Sequence, residues 1–181
     1  NSTDHDSDGC QDSGEDADDD NDAIGDQYDL CTPGSLNWTS NDSTDHDSDG
    51  CWDSMEDDDD DNDGLNDTSD YCPTGDLDWT SNNSTDHDSD GCQDSGEDAD
   101  DDNDGIGDQF DLCSPGTLDW TTNSSSDHDS DGCQDSGEDA DDDNDGLNDT
   151  SDYCPTGDLG WSSNNSTDHD SDGCQDSGED A

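Results

Sequence analysis

Asp86-His87-Asp88-Ser89-Asp90-Gly91-Cys92-Gln93-Asp94-Ser95-Gly96-Glu97 is followed, three residues on, by Asp100-Asp101-Asp102-Asn103-Asp104-Gly105-Ile106-Gly107-Asp108-Gln109-Phe110-Asp111. Both stretches put acidic residues at their first, third, fifth, ninth and twelfth positions and glycine at the sixth. Ca²⁺ is a hard cation that takes six to eight oxygens, so carboxylates at alternate positions wrap it while glycine permits the sharp turn. Position seven, Cys92 or Ile106, contributes a backbone carbonyl. Two twelve-residue loops with calcium-ligand spacing thus sit almost end to end.

One such loop in an Asp-rich chain could arise by chance, but recurrence at fixed spacing removes that explanation. The first loop type returns as Asp4, Asp6, Asp8, Cys10, Asp12 and Glu15, and again as Asp45, Asp47, Asp49, Cys51, Asp53 and Glu56. It recurs as Asp127, Asp129, Asp131, Cys133, Asp135 and Glu138, and as Asp168, Asp170, Asp172, Cys174, Asp176 and Glu179. The second type returns as Asp18, Asp20, Asp22, Ile24, Asp26 and Asp29, as Asp59, Asp61, Asp63, Leu65, Asp67 and Asp70, and as Asp141, Asp143, Asp145, Leu147, Asp149 and Asp152. Only Ala23 departs from glycine at the sixth position, which makes the turn of its loop the most strained of the nine.

The 181 residues carry a formal charge of −60, with no Lys or Arg and 19% hydrophobic residues. That composition ordinarily gives a disordered polyanion. The spacing reverses the expectation for a calcium-loaded state, because five carboxylates in each of nine loops place 45 of the 60 acidic residues on ligand positions. Nine Ca²⁺ would bring −60 to −42. The remainder points to further ions, either bound by spare carboxylates such as Asp16, Asp19 and their repeats or held loosely as counterions. So few apolar residues cannot build a large core. The charge repels nucleic acid and anionic membranes, and no stretch is long enough to span a bilayer. The chain begins and ends inside a repeat, which suggests a window on a longer processed protein.

His5, His46, His87, His128 and His169 mark a strict 41-residue period. The units are 1–41, 42–82, 83–123 and 124–164, with the start of a fifth at 165–181. Linker aromatics alternate between units, with Tyr28 and Phe110 in one type and Tyr71 and Tyr153 in the other, so the larger repeat is 82 residues. Fixed periodicity of this kind marks an array in which units contact chiefly their neighbours. There is no room for helices flanking the loops, and Pro and Gly break the linkers. The expected fold is irregular backbone wrapped on ions, a disulfide-stapled, calcium-stabilised array with an extended, solenoid- or fibre-like form.

The pairs Leu36 with Trp38, Leu77 with Trp79, Leu118 with Trp120 and Leu159 with Trp161 supply most linker apolar surface, read as local packing rather than sugar binding. Trp52 stands where other units have Gln and reads as exposed. The histidines occupy the second loop position, pointing away from the ion, which favours a surface role over metal binding. Repeated identical sites without a pocket are poor candidates for catalysis, so an enzyme is not expected. Asn1, Asn37, Asn41, Asn66, Asn82, Asn83, Asn123, Asn148, Asn164 and Asn165 each begin Asn-x-Ser/Thr and are candidate glycan acceptors.

Asp59 to Asp70 followed by Tyr71-Cys72-Pro73, and Asp141 to Asp152 followed by Tyr153-Cys154-Pro155, resemble the thrombospondin type 3 repeats, whose signature joins such a loop to Cys-Pro. Cys31-Thr32-Pro33 and Cys113-Ser114-Pro115 depart by one residue between Cys and Pro. The Gly-x-Leu-x-Trp linker looks like that of microbial surface proteins carrying such repeats. The resemblance implies an extracellular, calcium-dependent module wound around a line of ions and stapled by disulfides.

Nine regularly spaced cysteines without Cys-x-x-Cys argue for an oxidising compartment and disulfides rather than zinc. One register pairs Cys10 with Cys31, Cys51 with Cys72, Cys92 with Cys113, and Cys133 with Cys154, each bridge closing a loop around a second-type site. The other pairs Cys31 with Cys51 and onward, leaving Cys10 free. Functionally the sequence favours a secreted or cell-surface structural protein, a rigid stalk or filament that self-associates or continues a longer repeat chain and carries covalent glycans. A calcium-dependent adhesion module and an acidic calcium reservoir or mineral template are the alternatives.

Overall fold

The computed structural model describes residues 4–180, so the Asn1 sequon lies outside the described residues. No helix or strand forms among them, and turns and bends follow one another from loop to loop. No helix among them is long and apolar enough to cross a membrane. The chain divides into two compact units, Asn1–Glu97 and Asp98–Ala181, the division falling between the two loops of the third repeat.

Residues 42–82 show how one repeat is built. The Asn41 carbonyl accepts from Thr44 and Asp45 N–H at 2.8 and 3.0 Å, a turn that delivers the first loop. The Asn41 side chain completes that turn, donating to the Thr39 carbonyl and the Thr44 hydroxyl at 2.8 and 2.7 Å. Asp53 N–H then closes the first loop on Thr44 O at 3.1 Å, and Asp67 N–H closes the second on Asp58 O at 2.9 Å. The two loop types therefore share one backbone closure, from the ninth position to the residue before the first. The linker returns to its own second loop, where Ser81 N–H donates to Asp63 O at 2.9 Å.

Two positions in each loop need the left-handed region. The fourth is Ser in the first type (Ser48, φ 64°) and Asn in the second (Asn62, φ 57°). The sixth is Gly except at Ala23, whose φ is 86°. A β-carbon in that region costs roughly 1–2 kcal/mol, which fits the sequence expectation of strain there. On the calcium reading of the sequence, Ala23→Gly should relieve it and lower the calcium midpoint of that loop by about fivefold, for about 1 kcal/mol, read from the residue 23 amide by NMR. An unchanged midpoint would show that the local backbone already absorbs the strain.

The buried interior is inverted relative to an ordinary protein. Its apolar members are Trp38, Cys51, Cys92, Cys133 and Cys174, whereas seventeen of the described aspartates are buried. Trp52 is not an exposed singleton: its ring stacks on Trp38 at 5.8 Å between centroids and 9° between planes, a contact open only to the unit with Trp in place of Gln. Leu77 and Leu159 are exposed rather than packed, so linker packing falls to the indoles.

The disulfides are Cys31–Cys51, Cys72–Cys92, Cys113–Cys133 and Cys154–Cys174, with Cys10 free and exposed. The register beginning Cys10–Cys31 is thereby corrected, and Cys174 is paired. The reason lies in the residues beside each bridge. Leu30 N–H donates to Asp49 O at 2.8 Å, and the Asp29 carboxylate lies directly over Gly50, where any β-carbon would collide with it. Loop closure at one repeat thus delivers Cys31 to the next repeat's cysteine, with Cα atoms 5.2 Å apart. The departure in the linkers proves to be an exchange of order, since Gly34 and Gly75 both follow their cysteine by three residues. Thr32–Pro33 and Ser114–Pro115 are cis, and Gly34 still reaches the side chain of its loop's third aspartate, Asp20.

Candidate cation sites

In each loop, one oxygen of several carboxylates is fixed by backbone N–H groups. At Asp59–Asp70, Gly64 N–H donates to Asp59 Oδ2 at 3.2 Å, Asp63 N–H to Asp61 Oδ1 at 3.1 Å, and Leu65 N–H to Asp63 Oδ1 at 2.6 Å. Asp60 N–H donates to the ninth-position Asp67 at 3.0 Å. The first loop type repeats the pattern: Gly50 N–H reaches Asp45 at 3.3 Å, Cys51 N–H reaches Asp49 at 2.8 Å and His46 N–H reaches Asp53 at 3.1 Å. These bonds aim the carboxylates inward, because each acceptor is tied to a loop neighbour.

The remaining oxygens show what the arrangement is for. Asp22, Asp63 and Asp104 are fully buried and Asp145 nearly so, yet Oδ2 of each has no hydrogen-bond partner. Buried carboxylates without a countercharge cost several kcal/mol each, and there is no Lys or Arg to supply one. The first, third and fifth carboxylates also converge: Asp4, Asp6 and Asp8, then Asp18, Asp20 and Asp22, then Asp45, Asp47 and Asp49 each offer oxygens within 4.8 Å of one another. An oxygen-only donor set of this density suits a hard divalent cation and not a soft one.

Cation-free electrostatics carry the same signature. Burial pushes Asp22, Asp29, Asp47, Asp70, Asp102 and Asp129 up to about 6, neighbouring carboxylates adding to the effect. Asp60 and Asp142 rise to about 7, again chiefly by burial, beside Asp67 and Asp149 respectively. These folded values lie above the roughly 3.9 of an unfolded Asp, so the cation-free fold binds more protons than the unfolded chain. The contribution of these groups to its stability is therefore fully present below about pH 4 and lost as pH rises through about 6 to 7. In chelator, scattering should show the chain contracting as pH falls through that window, while saturating calcium should flatten the dependence. A chelated chain of constant dimensions from neutral to acid pH would contradict this.

The twelfth position behaves differently in the two loop types. Asp70 lies near Asp59, Asp61 and Asp63 of its own loop while its carboxylate reaches forward over Gly91 of the next repeat. Glu97 instead accepts Asp76 N–H through both oxygens at 3.0 and 2.8 Å, from the linker of the preceding repeat. Sequence reasoning also missed the histidines. Nε2 of His5, His46 and His128 donates to the carbonyl of Gly34, Gly75 and Gly157 at 2.9 Å, so the second loop position holds the linker rather than facing solvent idly. Asn62 links the two loops of its repeat through the Asp47 carboxylate, as Asn144 does through Asp129. The invariant His offset and the Asn at position four were the available signals, but neither shows its partner from sequence.

The candidate glycan acceptors separate in the same way. Asn41, Asn82, Asn123 and Asn164 spend their side-chain amides on the turn before each first loop. Asn37, Asn66, Asn83, Asn148 and Asn165 are exposed. Comparison of the chain with family models and with curated protein sequences gives no match.

Proposed function

We propose that this chain is a calcium-binding structural repeat of secreted or cell-surface material, of the thrombospondin type 3 kind that its loops resemble. The observation that carries the reading is the set of buried carboxylates with one unpaired oxygen, recurring at the same loop position in four repeats. At least nine Ca²⁺, one per loop, would supply the missing countercharge. The four disulfides point to an oxidising compartment, which fits an extracellular setting.

Units of one length joined by linkers of two alternating types would relate pair to pair by nearly one rotation and translation, and repeating that operation generates a helix. The native object is accordingly a thin filament, made by one long repeat chain or by several together. Glycans on the exposed Asn37, Asn66, Asn83, Asn148 and Asn165 would screen a polyanionic surface. Electron microscopy of native material with and without chelator tests the reading. Filaments with an axial repeat of 82 residues that dissolve in chelator are expected; isolated particles of unchanged form in both conditions would overturn it.

A further inference from the structure

Three segments meet at the linker glycines Gly34, Gly75 and Gly157. Gly75 donates its N–H to Asp61 Oδ2 at 2.9 Å, in the second loop of its own repeat, and its carbonyl takes the His46 ring. Its neighbour Asp76 gives its N–H to Glu97, twenty-one residues on and in the next repeat. A β-carbon on this glycine would strike the Glu97 carboxylate and stand 2.9 Å from Cys72 O. At Gly157 the same point lies 2.6 Å from Glu179 Oε1, 2.8 Å from Asp143 Oδ2 and 3.0 Å from Cys154 O. Two carboxylates from different repeats and a carbonyl therefore crowd one small volume, and they do so again at Gly34 with Asp20, Glu56 and Cys31.

Carboxylates held this close need either a shared proton or a countercharge between them, and at neutral pH and above a divalent cation meets that need for both at once. Asp20 is 3% exposed with no partner on the Oδ2 that faces Gly34, and one Glu56 oxygen is likewise buried and unpaired, while the equivalent Asp61 and Asp143 oxygens accept the linker glycine N–H.

Resting on the calcium reading above, we propose that the cation in the second loop of the first, second and fourth repeats takes a ligand from the following repeat. Glu56 and Glu97 serve the loops at Asp18–Asp29 and Asp59–Asp70, not the loops in which they stand twelfth. Calcium then ties one repeat to the next at the junction the disulfide staples. Filling the second loop fixes the angle between units, and the linker residue must be glycine to leave room for the bridge.

The test is a Ca²⁺ titration of the oxidised 181-residue chain, followed by the amide resonances of Gly64, Gly91 and Gly105. Glu97→Gln should raise the Gly64 midpoint by at least about fivefold, since ligand charge sets loop affinity. The Gly91 midpoint, in the loop that contains Glu97, should stay within about twofold. An unchanged Gly105 shows that the chain has folded. Gly75→Ala, which displaces the same carboxylate without removing its charge, should also raise the Gly64 midpoint. A Gly64 midpoint unmoved in both variants overturns the proposal, whatever Gly91 does. An unsubstituted chain in which no loop glycine responds to Ca²⁺ overturns the calcium reading itself, a failure distinguishable because it needs no substitution.

Discussion

Removal of calcium is expected to unfold the chain, with amide exchange protection in the loops falling at least about a hundredfold and scattering changing from a folded to a chain-like profile. The argument is one of competing magnitudes. Ordering a residue costs roughly 1–2 kcal/mol of backbone entropy, and burying one large apolar side chain returns about 2 kcal/mol. The apolar interior consists of Trp38 and four cysteines, against seventeen buried aspartates among the described residues. Without cations those carboxylates oppose the fold through desolvation and mutual repulsion, as their raised pKa values record. On the proposed calcium reading, bound cations would make them its main attractive term, and metal binding and folding would be one equilibrium. Identical scattering profiles and exchange rates in calcium and in chelator would show that some other interaction holds the fold.

Reduction of the disulfides should produce the second large effect. Each bridge joins cysteines twenty residues apart and closes the junction between consecutive repeats. A closed loop of that length contributes about 3 kcal/mol by the chain-entropy argument. Reduced chain should consequently need markedly more calcium to fold, and Cys31→Ser with Cys51→Ser should reproduce the loss at one junction. Peptide mapping without reductant should recover the four bridges, with Cys10 alkylated. That alkylation should be slow at neutral pH, because the hydrogen bond to Asp8 and the surrounding carboxylates raise the Cys10 thiol pKa and hold it protonated. Recovery of a Cys10–Cys31 peptide would contradict the fold at its first junction.

The sequence alone specified the local loop pattern, because the loops are written in short-range spacing. Alternate carboxylates, a glycine at the sixth position and the 41-residue period are all visible without coordinates. So was the lack of regular secondary structure, since two residues between loops leave no room for a helix. Strain at Ala23 followed from the same rule.

What joins one repeat to another was not legible. The cysteines are spaced twenty and twenty-one residues apart in alternation, so both disulfide registers close loops of nearly equal length and equal entropy. The choice was made by the fit of Asp29 over Gly50 and by the Leu30–Asp49 hydrogen bond, contacts between residues far apart in the chain. The stack of Trp52 on Trp38, the hold of His46 on Gly75 and the reach of Glu97 to the preceding linker have the same origin. Each loop's interior is determined by residues within twelve positions of one another. The junctions depend on surfaces that exist only once two loops have closed, and that is why tertiary structure alone decided them.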